Sequence, residues 1–177
     1  MQTDIAELKL HRSKLRKEIE NRFPDYAALV SPKPATIDRV RHLLKADEVL
    51  VSWYFGDKEG FVWAITKTGA PQFHSFSLGR EKMAEMVGKL RKSLDAGVAT
   101  IDDIPQFDVA LANKLYQTLL SPVQSSLQGK KVMLAVPHGE LGQLPLSLLV
   151  TQSPNSALKV KGSDFSEYRQ VSWLAKE

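Results

Sequence analysis

A chain of 177 residues has room for one ordinary domain, or for a small domain with a helical arm, and a hydrophobic content of 43% can fill a core. With 25% charged residues and with glycine and proline spread thinly, composition excludes collagen-like, low-complexity and disordered classes; no apolar run reaches the roughly 20 residues that cross a bilayer, so no membrane partner is expected. A net charge of +4 raises the question of nucleic acid, and zero cysteines exclude disulfides, thiolate metal ligands and a cysteine nucleophile from these residues.

The start, Met1-Gln2-Thr3-Asp4-Ile5, lacks the basic and apolar regions of a signal peptide, and a cytoplasmic location is expected. Asp4 with Glu7 has the spacing of an N-cap and its reciprocal partner, and Ile5, Leu8, Leu15, Ile19 and Phe23 recur at helical spacing up to Pro24. An amphipathic helix is predicted over 1–24, an arm whose apolar stripe contains Arg12 and Arg22; those two charges argue for a docked helix over a free coiled coil. The basic residues Lys9, Arg12, Lys14, Arg16, Lys17 and Arg22 alternate with Glu7, Glu18 and Glu20, as on a solvated helix face. No basic strand is interleaved with aromatics, and nucleic acid is not an expected partner.

Residues 25–45 read as short helices, interrupted by Pro32-Lys33-Pro34, with Thr36 able to cap the one carrying Ile37, Val40, Leu43 and Leu44. Residues 49–55 and 61–66 are β-branched and aromatic, with a turn over 56–60, and the alternation of Phe73-His74-Ser75-Phe76 suits a third, half-exposed strand. Together they predict an antiparallel three-stranded meander. Met83, Met86, Val87, Leu90 and Leu94 mark one helix, and Val109, Ala112, Leu115, Tyr116 and Leu119 a second, across a loose stretch at 95–106. Pro122 ends that helix or opens a short third one.

Val132-Met133-Leu134-Ala135-Val136 is apolar without alternation, the pattern of a parallel-type strand buried on both faces. It runs into Pro137-His138-Gly139, after which Leu141, Leu144, Leu146, Leu148 and Leu149 suggest a turn and a short buried helix. Residues 151–166 are polar, with Pro154, Asn155 and Gly162, and read as a mobile loop before a last structured element at 168–177.

His138 is the candidate site residue, because it precedes a glycine at a strand's C-terminal end, where open α/β sheets place functional groups. A turn-forming polar side chain explains it equally well and is the preferred reading. No Gly-x-Ser-x-Gly elbow occurs, and Ser147, within Leu-Pro-Leu-Ser-Leu-Leu, is expected to be a buried helix residue bonded to backbone. His11, His42 and His74 stand alone, each solvated or half-buried, without metal-ligand spacing; Gly129-Lys130-Lys131 lacks the rest of a P-loop. Trp53, Tyr54, Phe61 and Trp63 have the makings of a ligand-stacking face, but aromatic cross-strand pairs stabilise hairpins without a ligand, and these residues are expected to pack in the core or on the sheet, with Met83 and Met86 filling core gaps. No catalytic, metal or cofactor residue is assigned.

Three blocks in order resemble the CHAT domain, a family related to caspases and separases that occurs in bacterial regulatory proteases. Asp47-Glu48 followed by the apolar run 49–55 looks like its first strand. Residues 113–122, with Leu115-Tyr116 and the closing Pro122, are similar to a helix of the family, and 136–149 to its strand, Pro-x-Gly, Leu-Pro and short apolar helix. The resemblance covers about 46–150. It implies an incomplete caspase-like α/β fold, with a mixed sheet made of the meander and the parallel-type strand, flanking helices and the helical N-terminal arm. The family pairs a His-Gly with a later cysteine on two subsequent strands, and the chain is expected to stop before both, with 151–177 as a loop and a truncated element. The resemblance therefore implies a non-catalytic portion that needs a C-terminal CHAT half for peptide hydrolysis, or else a self-sufficient interaction module. Expected partners are that half or a second copy, and a helical-repeat sensor joined through the arm.

Overall fold

The computed structural model describes residues 2–30, 34–95, 97–153 and 165–176. The chain divides into two compact units, Met1–Arg39 and Val40–Glu177. In the first, α1 (Gln2–Arg22) is followed directly by α2 (Pro24–Val30). Pro24 occupies the first position of α2, where a missing N–H costs nothing. The helix begins two residues ahead of Asp4, which therefore lies inside α1 instead of capping it. Ile5, Leu8, Leu15 and Ile19 are exposed, and Arg12 and Arg22 interrupt the stripe they form. Ion pairs one turn apart, Arg16–Glu20 at 3.5 Å and Arg22–Glu18 at 3.2 Å, support the helix. Thr36 caps α3 (Ile37–Leu43) as expected, its Oγ1 accepting from the Arg39 N–H at 3.3 Å.

The second unit is α/β, built on a four-stranded mixed sheet of order β3-β2-β1-β4. The strands β1 (Glu48–Phe55), β2 (Gly60–Thr66) and β3 (Gln72–Phe76) form the predicted antiparallel meander, in the register Trp53↔Val62 and Trp63↔Phe73. β4 (Val132–Val136) lies parallel to β1, with Val49 opposite Met133 and Val51 opposite Ala135. Between β3 and β4 the chain forms α4 (Arg80–Leu94), α5 (Val109–Leu119) and the short α6 (Gln124–Leu127).

Strand alternation decides the layers. Val49, Val51, Trp53 and Phe55 point to one face of β1, and Val62 and Ala64 join them from β2. Against that face pack Met83, Val87 and Leu90 of α4 with Ala112, Leu115 and Leu119 of α5. Each such fully buried side chain is worth about 1.5–3 kcal/mol, and this face is the core of the unit. The Asp108 side chain caps α5 by accepting from the Leu111 N–H at 2.8 Å, and the Trp53 indole N–H donates to the Leu119 carbonyl at 3.0 Å, tying α5 to β1.

The last described residues close this core. Trp173 bridges Val150, the Thr151 N–H donates to the Ser172 carbonyl at 2.9 Å, and Asn113 Nδ2 donates to the Val150 carbonyl at 2.9 Å. Tyr168 accepts the Phe107 N–H at 2.9 Å. Of the expected loop at 151–166, residues 154–164 lie outside the described residues.

β4 departs most from expectation. Its residues Val132, Leu134 and Val136 are 42%, 42% and 49% exposed, not buried on both faces. The sheet order puts β4 at the edge, and only its alternate face, with Met133, reaches the core. Ser147 is another correction. It is exposed in a single 3₁₀ turn, Leu146–Leu148, because that turn spends its inward positions on Leu146 and Leu149.

Candidate functional site

The parallel pair β1–β4 places two chain ends side by side at its C-terminal end. β4 runs out into Pro137-His138-Gly139, where Gly139 adopts φ +57°, the left-handed conformation that only glycine takes without strain. The turn aims His138 across at β1. Its Nδ1 accepts the Phe55 N–H at 3.2 Å, and its ring lies against Tyr54 with centroids 4.6 Å apart. The geometry is that of a clasp between the ends of β1 and β4.

The other residues weighed from sequence are dispersed. His11, His42 and His74 are exposed, on α1, α3 and β3, and among the described residues no group of three His, Asp or Glu side chains could hold a metal ion. Met83 is buried and Met86 packs half-buried against the core, as gap-filling residues would. The aromatics divide by register: Trp53 enters the core, while Tyr54, Phe61 and Trp63 occupy the opposite face of the sheet.

That opposite face is the most distinctive surface of the unit. From β4 it carries Val132, Leu134 and Val136, and from β1 Leu50, Ser52 and Tyr54. From β2 and β3 come Phe61, Trp63, Ile65 and Phe73. Its aromatic rings form a continuous row: Tyr54–Phe61 at 6.5 Å, Phe61–Trp63 at 6.0 Å and Trp63–Phe73 at 5.4 Å. Phe73 is 57% and Tyr54 48% exposed. The charge on this face is Glu48 at one corner, paired with Lys45 at 3.6 Å.

A pocket of about 550 Å³ opens at the other end of the parallel pair, floored by Val49, Leu127, Met133 and Leu174 with Lys130 and Lys131 on its rim. Lys130 Nζ is engaged there by the Ala46 carbonyl at 2.6 Å. The perturbed titrations fall elsewhere, on the surface of α4, where a hydrogen bond of 2.6 Å holds the Glu85 carboxyl below its usual range and the Lys89 ammonium above its own.

Sequence reasoning weighed a face of Trp53, Tyr54, Phe61 and Trp63; the structure turns Trp53 into the core and adds Phe73 and the β4 side chains to the other three. The signal for this wider face was the alternation in 61–66 and 73–76; what hid it was the uninterrupted apolar run 132–136, in which an edge strand and a fully buried one look alike. No family model, curated protein or solved structure matches the chain.

Proposed function

We propose that the chain is the non-catalytic N-terminal portion of a CHAT-type, caspase-like protein, acting as the half-sheet onto which the strands bearing the catalytic pair are added. The observation that carries this reading is the position of β4: an apolar strand, parallel to β1, lying at the edge of the sheet that the described residues form, where a further strand would pair. A parallel pair with one uncovered side calls for continuation, because parallel strands are stable when flanked and covered. In the resembling family the next strands carry a His-Gly and then a cysteine. This chain contains no cysteine, so thiolate attack would have to come from outside it. The arm over 1–24 would link the sheet to a helical-repeat sensor.

The test has two parts. The isolated chain should hydrolyse nothing in a broad peptide library, and a transcript reading on past the codon for Glu177 into an apolar strand, a His-Gly and a cysteine would support the reading. Turnover that survives repurification and is lost in Ser147→Ala or His138→Ala would defeat it. A stop codon at that point, together with a cooperatively melting protein, would favour the second reading, a self-sufficient interaction module. What favours that second reading is the closure of the core by residues 165–176 through Tyr168, Trp173 and Leu174.

A further inference from the structure

We infer that the uncovered face of the sheet is a self-complementary interface, and that two copies of the chain pair face to face across it. The inference goes beyond the family reading and does not depend on it.

At their observed exposures, the apolar side chains of this face present on the order of 600 Å² to solvent. That is at or above the largest apolar patch a typical monomer leaves exposed, and close to the roughly 800 Å² that each partner contributes to a stable complex.

The centre of the face has no ionised group, and it is rich in the aromatic residues that anchor interfaces. Glu48, at the corner, is already neutralised by Lys45. A charged partner such as nucleic acid or an acidic peptide would find nothing here to bond.

The face divides into two unlike halves. β4 supplies the small aliphatic side chains Val132, Leu134 and Val136, and β2 with β3 supplies the large rings Phe61, Trp63 and Phe73. The strand order β3-β2-β1-β4 puts β4 and the β2–β3 pair on opposite sides of the line between β1 and β2. A twofold axis lying between the two sheets, parallel to the strands and passing between β1 and β2, sets the aliphatic half of each copy on the aromatic half of the other. Protrusion then meets recess twice, the condition for an isologous contact that closes at two copies. Two sheets packed in this way stand about 10 Å apart, the spacing of ordinary sandwich cores.

Pairing through the β4 edge would also give a dimer, and the experiment separates the two. Sedimentation equilibrium of the whole chain from about 1 to 100 µM, the range where an interface of this size associates, should show a monomer–dimer transition. Phe73→Glu lies on β3, at the far side of the sheet from the β4 edge, and should weaken dimerisation at least tenfold. Leu134→Glu should do the same, and Lys89→Glu, on the surface of α4, should leave the dimer intact. Each variant is compared by far-ultraviolet circular dichroism and thermal melting, so that a monomer is counted only if folded. In a folded dimer, the Trp63 emission should also shift to the blue of that of the Phe73→Glu monomer.

A wild-type chain that stays monomeric throughout this range overturns the inference. So does a dimer that survives Phe73→Glu but is lost in Leu134→Glu and in Ala135→Pro, which would place the contact at the β4 edge. If Phe73→Glu fails to fold, Phe73→Ser, which removes the ring without adding charge, takes its place with the same expected monomer.

Discussion

His138 illustrates how one side chain can look catalytic and still be explained by packing. Its Nδ1 satisfies the Phe55 N–H, and its ring covers Tyr54. His138→Ala would leave that N–H without an acceptor and remove the ring contact, at a cost of about 1–3 kcal/mol. His138→Asn offers a carbonyl oxygen at a similar reach and should recover part of the loss; urea titration of the two variants measures it. Equal destabilisation by both would show that the hydrogen bond contributes nothing. Asn113 makes a similar but more deeply buried tie, its amide donating to the Val150 carbonyl between α5 and the C-terminal segment. Asn113→Leu should cost about 1–3 kcal/mol in the same titration, because the carbonyl stays buried with its partner gone. Neither role was legible in the sequence. The partners lie 83 and 37 residues away along the chain, and nothing local to Phe55 or Val150 announces an unsatisfied group.

Elements were more legible than contacts, for reasons that differ from one to the next. The meander could be read because β1, β2 and β3 alternate between a covered and an uncovered face, and a period of two survives in the sequence. α4 and α5 could be read because Met83, Val87 and Leu90, like Leu115 and Leu119, repeat at helical spacing against one core. For α1 the same periodicity marked the helix, but spacing cannot reveal which surface receives the stripe. β4, by contrast, has no periodicity from which its exposure could be read. The entry to α4 depended on a constraint that composition does not show: Gly79 passes so close to the β1–β2 turn that a Cβ there would lie 2.0 Å from the Asp57 carbonyl oxygen. That neighbour is backbone, anchored where the Arg80 N–H donates to the Gly56 carbonyl at 2.8 Å, and it cannot rotate away. Gly79→Ala should therefore shift α4 off the sheet and destabilise the protein by about 2–4 kcal/mol. Gly139→Ala meets open space and should cost only the left-handed strain, about 1 kcal/mol. Thermal melts of the two variants should rank in that order, and the reverse would mean that the His138 turn is the tighter of the two.

At the scale of the molecule, stability is unevenly distributed between the two units. The buried core lies in Val40–Glu177, whereas the large apolar side chains of α1 and α2, including Leu8, Leu29 and Val30, remain exposed. A helix stabilised by its own backbone and by a few exposed ion pairs is marginal in water, because surface pairs one turn apart contribute only about 0.3–0.5 kcal/mol each. The amides of α1 should accordingly exchange with solvent through local opening, orders of magnitude faster than those of β1 and α5, whose exchange should require global unfolding. Hydrogen exchange read by mass spectrometry on the intact chain gives this ranking directly. The companion measurement removes residues 1–39. Because the buried core lies within Val40–Glu177, deletion should leave the melting of that unit cooperative and move Tm by only a few degrees, as expected when little more than about 1 kcal/mol is lost. A broad, non-cooperative transition after deletion, or protection of α1 equal to that of β1, would show instead that the arm belongs to the same folding unit as the sheet, and that its apolar stripe contributes to a core.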